Sequence, residues 1–204
     1  MGMRKRLFAS VYARTEGRLR RQSAASRAAL VGDLEGQVLE VGCGTGANFA
    51  YYPAAAHVTA TDYNAYMLRR AADERGDVAA TIELRQADVE ALPFDDDSFD
   101  SVVSALVLCS VADQPRALAE MRRVLKPGGA LRLFEHVRSD RRWVARLQRV
   151  GTPAWSFVAD GCHLSRDTVA AVVAAGFEVE REDTASVPAI PMKHVVIFAR
   201  GPAA

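Results

Sequence analysis

Apolar residues at the start of the chain recur at helical spacing, with Leu7, Val11, Leu19, Ala25, Ala28 and Ala29 set among basic positions. That spacing predicts one or two helices over residues 7–31, ending at Gly32 or Gly36. The pattern then shifts to short apolar runs. QVLEVG (37–42) and the alternating, β-branched HVTATD (57–62) read as strands, and the residues between them suffice for one crossover helix of a parallel βαβ unit. Asn64–Arg75 has helical composition, TIELRQAD (81–88) predicts a third strand and FDSVVSALVL (99–108) a fourth. A helix over Gln114–Leu125 should stop at Lys126-Pro127-Gly128-Gly129, a basic last turn followed by proline and glycine. ALRLFEHV (130–137) is a fifth strand, Arg166–Ala175 a helix stopped at Gly176, and FEVERED and HVVIFAR two closing strands.

Helices alternating with largely apolar strands predict an α/β fold, a doubly wound sheet of seven strands with helices on both faces. The last two strands are joined by a short stretch containing Pro188 and Pro191, too short for a helical crossover, so the last strand should run antiparallel. Residues 138–165 carry no such pattern. They read as an irregular interruption without a long helix of its own, and such a segment in a compact fold suits a functional lid.

The length of 204 residues fits one domain over 1–204, with 1–35 as an N-terminal helical cap and 138–166 as a substrate lid. A net charge of +1 gives no global attraction to nucleic acid or anionic membranes, and no nucleic-acid partner is expected. Two basic clusters, Arg18, Arg20 and Arg21 with the residues before them, and Arg138 to Arg149, read as solvated helix faces. No apolar run reaches the length of a membrane span and Met1–Leu7 lacks a signal-peptide core, so a cytoplasmic protein without stable membrane insertion is expected. Cys43, Cys109 and Cys162 make neither a disulfide framework nor a CxxC pattern. The sequence sets no oligomeric state.

Chemistry concentrates first in LEVGCGTGANF (39–49). Gly42, Gly44 and Gly46 behind a strand allow a tight turn and close approach of backbone to a ligand. Asp62 ends the next strand, where an acid can accept both hydroxyls of a ribose. The glycine spacing is GxGxG, not that of the dinucleotide fingerprint, and Glu40 would repel phosphates. Both features favour a nucleoside ligand with a neutral or positive tail.

VLEVGCGTG, the acid after strand two, ADVEALPFDDDSFDSVVS and RVLKPGG together resemble the successive motifs of class I S-adenosylmethionine (SAM)-dependent methyltransferases, over roughly residues 36–137. The resemblance implies a Rossmann-like methyltransferase sheet, SAM as cofactor and S-adenosylhomocysteine as product. It also implies Gly42, Gly44, Gly46 and Asn48 around the methionine tail with Glu40 near its ammonium, Asp62 on the ribose, Tyr63 and Met67 by the adenine, Asp88 on the adenine amino group with Val89 beside it, and Ala105 and Leu106 facing the sulfonium. A narrower resemblance, through VGCGTGANFAYYP, LVLCSV, KPGGALRLFEHV and PAWSFVADGCHLSR, is to the methyltransferase-like family that includes alkyl-thiol S-methyltransferases. It implies methyl transfer to a small, largely apolar acceptor, a thiol first. Methylation at oxygen or nitrogen of a small metabolite or lipid headgroup is the alternative, and a non-catalytic SAM-binding module stands against both.

In DGCHLSR (160–166), Cys162 and His163 are neighbours and point to opposite sides of an extended segment. Only Cys109, His136 and His194 can complete a cluster with them and none shows ligand spacing, so no metal is expected and Cys162 is expected to pack inward. His136, ending strand five, and Asp160 are candidate general bases. Tyr12, Cys109, His136, Trp155, Phe157, His163 and Arg166 are the expected acceptor contacts, with Asp160, His163 and Arg166 latching a closed lid. Ser165 or Asp167 should cap the helix that follows.

Overall fold

In a computed structural model, the structure describes the backbone of residues 2–159, 161–185, 187 and 192–203, with side chains from residue 17 onward except at 158. Helix α1 (Gly2–Val31) is continuous. Strands β1 (Gly36–Val41), β2 (Ala56–Asp62), β3 (Thr81–Gln86), β4 (Phe99–Ala105), β5 (Leu125–Val137), β6 (Glu178–Ala185) and β7 (Lys193–Arg200) form one sheet in the order β3-β2-β1-β4-β5-β7-β6. The first five run parallel, and β7 lies antiparallel between β5 and β6, as the short final connection required.

Alternation along the strands divides the core in two. Leu39 and Val41 of β1, with Leu131 and Leu133 of β5, face Leu118 and Met121 of α3 (Gln114–Val124) and Val172 of α5 (Thr168–Ala174). Val38 of β1, Val103 of β4 and Phe134 of β5 face Leu30 and Val31 of α1 and Ala71 of α2 (Ala65–Glu74). Each fully buried Leu or Met contributes about 1.5–3 kcal/mol. Helix starts follow local capping, with Asn64 accepting from the N–H of Tyr66, Asp113 from Arg116 and, of the two expected candidates, Asp167 from Ala170.

Four expectations are corrected. The β1–β2 crossover is no α-helix, because the glycine turn takes up most of its residues and leaves only a 3-10 turn at Phe49–Tyr51. β4 ends at Ala105, since Leu106 adopts a left-handed φ of 61° that no strand continues through. β5 begins at Leu125, with a register irregularity where the Pro-Gly-Gly segment bulges between Leu125 and Ala130. Residues 142–158 form a 17-residue helix, α4 (Arg142–Val158), where an irregular lid was expected. Its apolar residues fall among arginines, which hid the helical period.

Candidate functional site

The order β3-β2-β1-β4 reverses direction between β1 and β4, so the segments leaving their carboxyl ends part and open a crevice, where doubly wound sheets bind ligands. One wall is the glycine turn. Gly42, Gly44 and Gly46 all have positive φ, and a Cβ on Gly44 would meet nothing within 4 Å, which marks an open cradle. A Cβ on Gly42 would lie 2.3 Å from the Val107 side chain, so the turn after β4 packs directly on the glycine turn.

Asp62 at the end of β2 is tied to this wall. Its carboxylate accepts from Gly44 N–H at 3.0 Å and from Asn64 N–H at 2.7 Å. Met67 is buried beneath the same edge, while Tyr63 and Asp88 are exposed and Val89 and Leu106 half-buried along it. Asp88 accepts from the N–H of Glu90, which fixes the turn it stands on. The cradle, the anchored acid and the apolar edge fit SAM.

Glu40 lies under the turn, fully buried. It accepts from Asn48 Nδ2 at 2.9 Å and Tyr52 Oη at 3.0 Å. Burial pushes its carboxyl up to about 7 against the opposing pull of the Tyr52 and Asn48 hydrogen bonds and of Arg27. Asn48, expected on the cofactor, uses both ends of its amide inside the protein, since its Oδ1 accepts from Arg27 Nη1 at 2.6 Å. No local sequence pattern signals this. Arg20 belongs to the basic cluster expected as a solvated face, yet it donates to the carbonyl and hydroxyl of Thr45 in the glycine turn, and Arg27, further along the same helix, is buried. Helix α1 thus clasps the turn.

The opposite wall follows β4 and β5. Glu135, buried in β5, accepts from the N–H groups of Val107 and Leu108 at 2.9 Å and of Cys109 at 3.3 Å, holding the turn after Ala105 in shape. A lone acid inside the apolar run LFEHV was the only sequence signal for it. Burial raises the Glu135 carboxyl against those hydrogen bonds. Arg166 donates to Leu108 O and, at 2.6 Å, to Val111 O, while His163 N–H donates to Cys109 O at 2.7 Å. The Arg166 side chain and the His163 backbone thus both bind the backbone of this turn.

Those staples bring Cys109, His136 and Cys162 together. His136 Nε2 lies 2.9 Å from Cys162 Sγ, and the three donor atoms all fall within 4.8 Å of one another, buried. Hydrogen bonds from Cys109, His136 and Trp155 hold the Cys162 thiol well below its usual range against the cost of burial. The bond to Cys162 and burial raise Cys109. Burial works to lower His136, but its bond to Cys162 and the neighbouring negative charge carry it up. The inference from spacing that no cluster forms is corrected here, because the residues come from three separate elements. Cys162 is buried as expected, but it is bonded to an imidazole and is more than packing.

Two expected contacts differ. Phe157 is 72% exposed, and Trp155 is 43% exposed although its indole reaches Cys162, so α4 turns much of its apolar surface outward. The side chain of Tyr12 and all of Asp160 lie outside the described residues.

Residues 39–133 match the methyltransferase domain family. A thiol S-methyltransferase of Homo sapiens is 42% identical over 151 residues, 69% of this chain and 59% of that protein. One of Rattus norvegicus is 41% identical over 157 residues, 71% and 62% of the two chains. The chain thus spans about three fifths of the length of these relatives. A phosphatidylethanolamine N-methyltransferase of Cereibacter sphaeroides is 32% identical over 142 residues, 69% of this chain and 70% of that protein. Among solved structures, a SAM-dependent methyltransferase from Thermotoga maritima superposes with a TM-score of 0.71 at 24% identity, covering 98% of this chain and 99% of that one. Another, from Mesorhizobium loti, gives 0.65 at 20% identity over 88% and 97%. Among the described residues, no helix is long and apolar enough to cross a membrane.

Proposed function

Because this chain belongs to the class I SAM-dependent methyltransferases, we propose that it transfers the methyl group of SAM to the sulfur of a small, largely apolar thiol. Bound SAM supplies a methyl group already activated on a sulfonium. The protein's part is then to hold the acceptor in line, exclude water and take away one proton.

Glu40 and the glycine turn receive the methionine tail, Asp62 the ribose, and Met67, Tyr63, Asp88 and Val89 the adenine. Ala105 and Leu106 border the transfer site. The observation that carries the acceptor class is the His136–Cys162 pair, in which an imidazole nitrogen sits 2.9 Å from a sulfur. An internal thiol there occupies the arrangement that an acceptor thiol needs to pass its proton to His136. Identity of 41–42% to thiol S-methyltransferases supports the same class. Cys109, Trp155, His163 and Arg166 shape the acceptor side, with 138–166 as its cover and the first 35 residues clasping the cofactor turn.

The test is a panel of small thiols, amines and phenols incubated with SAM, following S-adenosylhomocysteine. Thiols should turn over, giving S-methyl products. Turnover confined to amines or phenols would overturn the thiol assignment, and SAM binding without turnover across the panel would leave a binding module.

A further inference from the structure

We infer that Cys109, His136 and Cys162 form a binding site for one thiophilic divalent cation of the zinc class, and that the bound ion blocks turnover by occupying the nitrogen of His136. The second half rests on the role of His136 proposed above; the first stands on the donor geometry alone.

Two sulfurs and an imidazole suit zinc-class ions, and three protein ligands are a known zinc set. A tetrahedral ion with bonds of about 2.0–2.3 Å places its donors roughly 3.5–3.8 Å apart. The three donor atoms already lie within 4.8 Å of one another, and the 2.9 Å His136–Cys162 pair needs to open by about 0.6 Å to reach the tetrahedral spacing. No large movement separates the ion-free form from a competent one.

The donors are held from outside the cluster. Cys109 N–H bonds to Glu135 and its carbonyl accepts from His163 N–H, one residue past Cys162. That staple fixes the distance between the two thiol-bearing turns. His136 sits in β5 in register with His194 of β7. Ser110 Oγ lies 3.5 Å from Cys109 Sγ and the Trp155 indole bonds Cys162, so each sulfur has a polar neighbour of the kind that steadies metal thiolates. Glu135 is not a competing donor, since its carboxylate faces the backbone of the Val107–Cys109 turn. All three cysteines are free thiols.

Binding releases two protons to solvent, one from Cys109 and one from the His136–Cys162 pair, and leaves the ion's oxidation state unchanged. Two thiolates, one neutral imidazole and a divalent cation sum to zero, which suits a buried position beside the Arg166 guanidinium. Three protein ligands leave a fourth position for water or a solution thiol. The imidazole lone pair on the ion cannot also take a proton from an acceptor.

The test uses the full chain, reduced and stripped with chelator. Zinc titrated against a chromophoric chelator should bind with one equivalent and a dissociation constant below about 1 µM. Cobalt(II) in its place should give a thiolate-to-metal absorption band and the strong visible bands of a tetrahedral centre. Cys109→Ser and Cys162→Ser should each weaken zinc binding by at least about 100-fold. SAM affinity by calorimetry shows that these variants are folded, and the wild-type cobalt spectrum carries the test should either fail to fold. Saturating zinc should suppress wild-type turnover, and chelator should restore it. A missing one-to-one complex, or a cobalt spectrum without a thiolate band, overturns the site while leaving the acceptor reading intact. A complex that leaves turnover unchanged overturns the blocking and, with it, the proton-accepting role of His136.

Discussion

Arg27 Nη1 lies 2.6 Å from Oδ1 of Asn48, and the other end of that amide holds Glu40 beneath the glycine turn. A residue in the N-terminal helix is thereby connected to the floor of the cofactor site. Arg27→Ala would leave a buried amide oxygen without its charged donor, a loss of about 1–3 kcal/mol. Urea denaturation should show a lower midpoint, and calorimetry a weaker SAM affinity. Arg20→Ala, on a partly exposed side chain, should change both less.

With Glu40 facing the methionine tail as proposed, SAM binding should depend on pH. The Glu40 carboxyl titrates near 7 in the folded protein and near 4.5 when unfolded, so this group lowers stability as pH rises from about 4.5 to about 7. The full difference is roughly 3 kcal/mol at 1.4 kcal/mol per unit. Arg27 of α1, Asn48 and Tyr52 beyond the glycine turn, Cys43 within it and Asp62 of β2 surround this carboxyl. The ammonium of SAM favours the ionised form and lowers its titration point, so affinity should rise with pH up to about 7 and then level off. Calorimetry between pH 5.5 and 8 should show this in the wild type. In Glu40→Gln the rise should be absent.

Glu135 receives three backbone N–H groups in the turn after β4. Glu135→Gln keeps the oxygen that serves Val107 and Leu108 but turns its amide NH2 toward the N–H of Cys109, leaving that group unsatisfied at roughly 1–3 kcal/mol. The denaturation midpoint should fall accordingly. Turnover should fall further than stability explains, because Cys109 loses its fixed position.

Asp62→Ala removes the anchor of the Gly44 N–H and, in the proposed site, the acceptor of both ribose hydroxyls. SAM affinity by calorimetry should weaken by about 2–4 kcal/mol. Unchanged affinity would place the ribose elsewhere.

Arg166→Ala frees the carbonyls of Leu108 and Val111 from the segment that carries Cys162. The acceptor KM should rise or kcat fall, while SAM affinity stays near that of the wild type. A large loss of SAM affinity instead would show that Arg166 supports the cofactor wall.

The sequence by itself determined the sheet and the glycine turn with the acid that anchors it. Strand positions follow from contiguous apolar runs, the antiparallel β7 from a connection too short to cross over, and Gly42, Gly44, Gly46 and Asp62 from a turn and a strand end adjacent in the chain. Such features depend on neighbours within a few residues, so local pattern records them. Helix α4 escaped because arginines interrupt its apolar period. Tertiary structure alone decided the rest. Arg27 reaches Asn48 across 21 residues, Glu135 reaches Val107 across 28, and His136 meets Cys162 across 26. No spacing rule encodes these meetings, because each depends on which strand ends lie side by side in the order β1-β4-β5 and on the twist of the sheet that aims their loops. Once that order is set, burial leaves each polar side chain few partners, and the arginine, the acid and the imidazole bond to what the neighbouring element presents.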